Sequence, residues 1–84
     1  MTFEEAYAKH VEFGPSVVTI TELERILIAE FRQDKSPLTQ RVANACGRIH
    51  TLYLENTFSE GDPRRMRNLV CYNRLNDKVR EFGK

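Results

Sequence analysis

Residues 36–56, SPLTQRVANACGRIHTLYLEN, decide the fold of this chain. Ser36 is a favourable helix N-cap, and Pro37 suits the first helical position because its missing N–H group would have no partner there. The apolar residues that follow recur at three- and four-residue intervals, which places them on one face of a helix. They are Leu38, Val42, Ala45, Cys46, Ile49, Leu52 and Tyr53. The pattern predicts an amphipathic helix over residues 37–56, with the most deeply buried stripe in the protein.

A shorter amphipathic helix is predicted upstream, over residues 3–12. Thr2 and Glu5 form a T-x-x-E capping box at its start, in which each side chain accepts a hydrogen bond from the other residue's backbone N–H group. Gly14 and Pro15 follow its last apolar residue and end it.

The second helix is predicted over residues 20–33. Either Thr19 or Thr21 can cap it, since each has a glutamate three residues further on. Its apolar residues cover about 200° of the helical wheel, so this helix is expected at the centre of the fold. The β-branched run 16–20, SVVTI, precedes it and favours an extended connector, with one strand of a dimer sheet as the alternative.

The fourth helix is predicted over residues 63–82, with Asp62 as its N-cap and Pro63 at its first position. Its apolar residues fall into two sets, which point about 130° apart. The first set is Met66, Leu69 and Val70. The second set is Tyr72, Leu75, Val79 and Phe82. A helix packed on one core keeps one apolar stripe, so either the helix breaks between residues 71 and 74, or the second set binds a partner, most simply a second copy of the chain. The partner-binding interpretation is favoured.

These elements predict an all-α fold, a small four-helix bundle or helical-hairpin domain. The 84 residues are enough for one domain, 1–84, but not for two. Apolar residues make up 40% and charged residues 30% of the chain, a balance typical of a globular domain rather than a disordered one. A core this small is thin, which is a further reason to expect a partner.

The chain is expected to be cytoplasmic and not bound to a membrane. No apolar run approaches the roughly 18–20 residues of a membrane span, and the acidic, amphipathic start is unlike a signal peptide. The two cysteines, Cys46 and Cys71, make no disulfide framework, and both are expected to be free core thiols.

Charge is distributed unevenly along the chain. Residues 1–33 carry six acidic and three basic side chains, a formal charge of −3, whereas residues 57–84 carry four acidic and seven basic ones, a formal charge of +3. In one interpretation the acidic half simply packs near the basic half. In the other, a basic stripe on the fourth helix binds nucleic acid or an acidic partner. That stripe is Arg64, Arg67, Arg74 and Lys78.

Residues 39–53, TQRVANACGRIHTLY, resemble the helix-turn-helix family of DNA-binding motifs. Ala43 matches the small residue of the first helix, and Gly47 matches the turn glycine four residues on. The resemblance departs from the family pattern at Arg48, where an apolar residue should follow the glycine. A second helix-turn-helix arrangement pairs the second and third helices and uses the third to read DNA. Its outward residues would be Gln40, Arg41, Asn44, Arg48 and Thr51.

Residues suited to catalysis or metal binding are few. Cys46 and His50 are four apart on one helix and could share an ion, but the remaining soft ligands, His10 and Cys71, show no matching spacing. No phosphate-binding loop or catalytic motif is present. We therefore expect no catalytic residue, no metal, no cofactor and no small-molecule substrate.

The sequence as a whole favours a non-enzymatic helical protein–protein interaction protein. Such a protein would be a regulator, inhibitor or accessory factor, of the kind common in bacteria and phages, and it would bind a protein partner or itself as a homodimer. The alternative is a small DNA-binding transcriptional regulator that uses a helix-turn-helix or the basic fourth helix.

Overall fold

The computed structural model describes residues 1–83, which form four α-helices and no β-strand. The helices are α1 (Phe3–Phe13), α2 (Ile20–Gln33), α3 (Leu38–Glu55) and α4 (Pro63–Phe82). The predicted all-α bundle is confirmed, and every predicted helix boundary agrees with the structure to within one residue. None of these helices combines the length and the apolar character needed to cross a bilayer.

Three of the helices begin with the side-chain caps that their sequences predict. Thr2 accepts a hydrogen bond from the backbone N–H of Glu5 at 3.2 Å, and Thr19, not Thr21, accepts one from the N–H of Glu22 at 3.1 Å. Asp62 caps α4 through the N–H of Arg64 at 2.9 Å. These caps satisfy donors that the first helical turn would otherwise leave free.

The two connections at the ends of α2 differ from their predictions. Pro37 is the N-cap of α3, and the predicted cap Ser36 instead donates its own N–H to Asp34 Oδ1 at 2.9 Å. The segment after α1 is a turn rather than an extended connector, because the N–H groups of Val17 and Val18 both turn back to the carbonyl of Gly14. Gly14 permits this turn with a φ of +86°, a value that other residues rarely adopt.

The core lies between all four helices, and α1 contributes the largest buried face. Its completely buried residues are Phe3, Ala6, Tyr7 and Val11. The expectation that α3 carries the most buried stripe is wrong, since only Ala45, Ile49 and Leu52 are buried there and Leu38 is 39% exposed. Leu38 lies in the first turn of α3, directly after the connection from α2, where the other helices do not cover it.

Helix α4 is unbroken. It buries members of the second predicted apolar set and leaves the first set exposed, contrary to the prediction. Its buried residues are Asn68, Cys71, Leu75 and Val79. Leu75 and Val79 are completely buried, so the prediction that these two residues form a partner-binding surface is wrong. The side chains expected in the core are instead in contact with water: Met66 is 63%, Leu69 38% and Val70 43% exposed.

Candidate functional site

A buried amide, that of Asn68, lies on the inward face of α4. The hydroxyl of Tyr7 donates to Asn68 Oδ1 at 2.6 Å. Asn68 Nδ2 donates to the carbonyls of Tyr53 and Asn56, at 3.1 and 2.7 Å. A polar group can occupy a core position when its hydrogen bonds are made, and these three bonds join α4 to α1 and to the end of α3. Burial raises the pKa of Tyr7, which keeps its hydroxyl protonated as the donor.

With Asn68 inward, three apolar residues of α4 point outward. We call Met66, Leu69 and Val70 the α4 outer face. The side chains are neighbours on one helix and all are exposed. Single exposed apolar residues are ordinary, whereas a contiguous apolar patch is typical of a binding surface.

A groove of about 630 Å³ runs along the side of this face next to the α1–α2 turn. We call it the His10 groove. It is lined by His10, Pro15, Ile20, Thr21, Pro63, Met66, Arg67, Val70 and Arg74. A second, smaller cleft of about 400 Å³ lies on the other side of the helix, and Pro63 and Met66 line both. The apolar surface therefore continues across α4.

His10 is the one buried polar side chain in the groove lining. It is 2% exposed, and its Nδ1 lies 2.6 Å from the carbonyl oxygen of Val18. Because a carbonyl can only accept, Nδ1 carries the proton. The other ring nitrogen, Nε2, has no hydrogen-bond partner among residues 1–83, although it is not completely enclosed by the protein. His10 itself lines the groove, with its Nδ1 occupied and its Nε2 unpaired within that range.

The predicted basic stripe of α4 lies against acidic residues of the same chain. Arg64 forms ion pairs with Glu12 at 2.9 Å and with Asp62 at 2.7 Å, and Arg64 holds the pKa of Asp62 at about 2. Arg74 and Lys78 both face Glu24, at 3.8 and 3.4 Å. The interpretation in which the acidic half packs near the basic half is confirmed for the pairs with Glu12 and Glu24.

Arg67 differs from the other members of the stripe, because it contacts backbone rather than a carboxylate. Its guanidinium donates to the carbonyls of Val11 and Glu12, at 2.8 and 3.2 Å. A carbonyl carries no net charge, so these bonds orient Arg67 without neutralising it.

The basic residues predicted on α3 also have internal partners. Arg48 binds Glu4 and Glu30, each at 2.5 Å, and this contact lowers the pKa of Glu4. The guanidinium of Arg41 lies 5.1 Å from the ring of Phe31. Gly47 lies within an unbroken helix, as predicted for residues 37–56, so the turn that the helix-turn-helix resemblance implies at this glycine is absent. The second helix-turn-helix arrangement, in which α2 and α3 pair and α3 reads DNA, stays a prediction.

The other two residues predicted to bind a partner, Tyr72 and Phe82, are partly exposed. Tyr72 is half-buried, with its ring 4.5 Å from that of Tyr53 and its hydroxyl 3.2 Å from His50 Nδ1. Phe82 is 36% exposed, and the cationic groups of Arg32 and Lys78 lie over its ring. Their part in binding a partner stays a prediction.

The thiols lie apart from any set of metal ligands. Cys71 is completely buried, which raises the pKa of its thiol to about 12, so it is a poor nucleophile. His50, whose spacing from Cys46 would suit a shared ion, faces Tyr72 instead. Within residues 1–83, no three metal-ligating side chains come together.

Comparison of the chain with protein-family models, with curated proteins and with solved structures finds no match. The sequence predictions missed the α4 outer face and the His10 groove, because they assigned Met66, Leu69 and Val70 to the core. One signal could have corrected this: residues 68, 71, 75 and 79 form a continuous helical stripe once Asn68 is counted as a core residue.

Proposed function

We propose that this chain is a non-enzymatic interaction protein that binds a protein partner through the α4 outer face. The observation that carries the proposal is the exposure of Met66, Leu69 and Val70 on a helix whose opposite face is packed into the core. Full burial of a fully exposed apolar side chain of this size is worth about 1.5–3 kcal/mol, and each of these side chains, 38–63% exposed, has roughly half of that still to gain. A patch of three such residues is a substantial driving force for association.

The arrangement of charge favours a protein partner over the alternative, a DNA-binding regulator. Phosphate contacts require basic side chains that are free to release counterions. Arg48, Arg64 and Lys78 already lie beside carboxylates of their own chain, so a phosphate would have to compete with those pairs.

A chain of this kind would act as a regulator, inhibitor or accessory factor, by covering a surface of its partner. The proposal includes a cytoplasmic location, because both cysteines are free thiols and such thiols persist in reducing compartments. Self-association as a homodimer is one form that the interaction could take.

The test uses a charged substitution in the α4 outer face. The double variant Met66→Asp/Val70→Asp changes only exposed side chains, so the helical fold should persist by circular dichroism. Leu54→Asp is the matched control, since Leu54 is 55% exposed on α3 and lines neither the His10 groove nor the second cleft beside α4. Proximity labelling in the cells that naturally express the chain should show a partner that the double variant loses and the control keeps.

Two results would contradict the proposal. One is a set of labelled proteins that is the same for the double variant and for the natural chain. The other is nucleic acid that copurifies with both, which would support the DNA-binding alternative. The mass in solution of the natural chain and of the double variant reports whether the partner is a second copy.

A further inference from the structure

We propose that the His10 groove receives an acidic amphipathic helix of a partner protein, anchored by a tyrosine or tryptophan side chain. The inference rests on the proposed function, and it adds the chemistry of the partner. Three features of the groove carry it: its apolar surface, the free nitrogen of His10 and its arginines.

The apolar surface is large enough for a bulky anchor. Pro15 and Ile20 line one side of the groove, and Met66 and Val70 line the other. Its volume of about 630 Å³ lies within the range of about 300–1,000 Å³ that is usual for ligand sites. Because the surface continues past Met66 into the cleft beyond α4, an elongated segment covers more of it than a small molecule does. A helix that places apolar residues in such a groove is a common mode of recognition.

His10 specifies which anchor fits. In the neutral tautomer whose Nδ1–H binds the Val18 carbonyl, Nε2 is an acceptor beside the apolar side chains of the groove. Phenylalanine or leucine would cover this nitrogen without a hydrogen bond, which is costly. Tyrosine and tryptophan combine an apolar ring with one donor, and both are enriched at interface hot spots.

The arginines specify the charge of the segment. Arg67 and Arg74 line the groove, and none of the described lining residues is acidic. Arg67 has only carbonyl partners, and the Arg74 side chain is 61% exposed with one carboxylate at 3.8 Å. Asp or Glu residues beside the anchor would complement both charges.

The same charges argue against a second copy of the chain in the groove. A twofold interface brings the same patch of both subunits together. A groove-to-groove contact would bring both copies of Arg67 and Arg74 into one interface, and the described groove lining supplies no carboxylate to pair with them. We therefore assign the groove to a different protein.

The experiment selects ligands without assuming a partner. A displayed library of helical peptides of about 15 residues, long enough to hold some helix, is selected against the natural full-length chain. We expect the recovered peptides to be enriched in Tyr or Trp at one position and in Asp or Glu around it. Replacing that Tyr with Phe, or that Trp with a naphthyl analogue, should weaken binding about 3- to 10-fold through loss of one hydrogen bond.

Variants of the chain test the groove itself. Val70→Asp should abolish binding of the recovered peptides. Arg74→Glu should weaken binding about 10-fold or more at low salt and less at high salt, because screening weakens exposed charge pairs. Arg80→Glu is the matched control, since Arg80 is also exposed on α4 but does not line the groove.

Each of three outcomes would overturn the inference: no peptide is recovered, the peptides bind Val70→Asp as tightly as the natural chain, or they show no acidic and aromatic enrichment. A dimer of the natural chain that Val70→Asp dissociates would also overturn it and assign the face to a second copy. The proposed function fails separately, when Met66→Asp/Val70→Asp leaves the labelled proteins unchanged. If that variant loses a partner while the peptide selection fails, the interaction function stands and only the partner chemistry is wrong.

Discussion

Replacing Asn68 with alanine tests the contact that orients α4. The substitution removes three hydrogen bonds, of 2.6, 3.1 and 2.7 Å. Each such bond contributes about 0.5–1.5 kcal/mol net, so their loss costs about 1.5–4.5 kcal/mol. The Tyr7 hydroxyl would remain in the core without an acceptor, which favours the upper half of that range. We expect a decrease of about 3 kcal/mol in the free energy of unfolding, a large fraction of the 5–15 kcal/mol typical of a domain.

Urea denaturation followed by circular dichroism measures this decrease. Asn73→Ala is the matched control, because Asn73 is an exposed asparagine on the same helix and should change stability by no more than about 0.5 kcal/mol. Tyr7→Phe removes only the bond to Asn68 Oδ1 and should cost about 1 kcal/mol. In the double variant Asn68→Ala/Tyr7→Phe no hydroxyl is left unpaired, so its cost should fall short of the sum of the single costs by about 1 kcal/mol.

Two results would refute this reasoning. If Asn68→Ala costs no more than Asn73→Ala, the buried amide does not stabilise the observed orientation of α4. If the effects of Asn68→Ala and Tyr7→Phe add without coupling, the two side chains do not act as a pair.

Three other predictions concern the glycines, the thiols and acid stability. Gly47→Ala should raise the free energy of unfolding by about 0.5–1 kcal/mol, because nothing lies within 4 Å of the added methyl group. Gly14→Ala should lower the free energy of unfolding, because Gly14 has a positive φ. Equal effects of the two substitutions in urea denaturation would contradict this. A thiol reagent should modify half-buried Cys46 first and Cys71 only when the chain unfolds, and mass spectrometry showing equal rates would refute that. The pKa of Asp62 is about 2, below the value near 3.9 of an aspartate in an unfolded chain. The ion pair of Asp62 with Arg64 therefore contributes stability that is complete above about pH 4 and is lost as the pH falls toward 2. Asp62→Asn, which retains an N-cap acceptor, should make stability measured across this range depend less on pH, and an unchanged dependence would exclude the pair as its source.

The helices could be predicted from the sequence because their signals are local. A capping box such as Thr2 with Glu5, or Asp62 followed by Pro63, specifies a helix start from neighbouring residues alone. Ser36 shows the limit of this reasoning, since its N–H is bound by Asp34 and the helix begins one residue later than the cap signal indicates.

The orientation of α4 could not be predicted in the same way, because it depends on residues distant in sequence. An apolar pattern treats Asn68 as a surface residue, whereas the structure supplies its amide with partners from α1 and from the end of α3. The groove was missed for the same reason, since Met66 and Val70, two of its residues on α4, had been assigned to the core. His10 lies on the buried face of α1, and only the turn after α1 shows which of its nitrogens is occupied.

The outward position of Met66 and Val70 follows from the inward position of Leu75 and Val79. Each outer residue is nine positions from an inner one, Met66 from Leu75 and Val70 from Val79, and nine residues are about two and a half turns of an α-helix. The members of each pair therefore lie on opposite faces, and a straight α4 can bury only one member of each pair in its own core. The observed orientation buries Leu75 and Val79, which extend the stripe begun by Asn68 and Cys71. It also brings Arg64 and Lys78 beside glutamates of α1 and α2. Turning the helix to cover Met66 and Val70 would expose two buried side chains and separate those ion pairs, so in this fold a second molecule is the way to bury the α4 outer face.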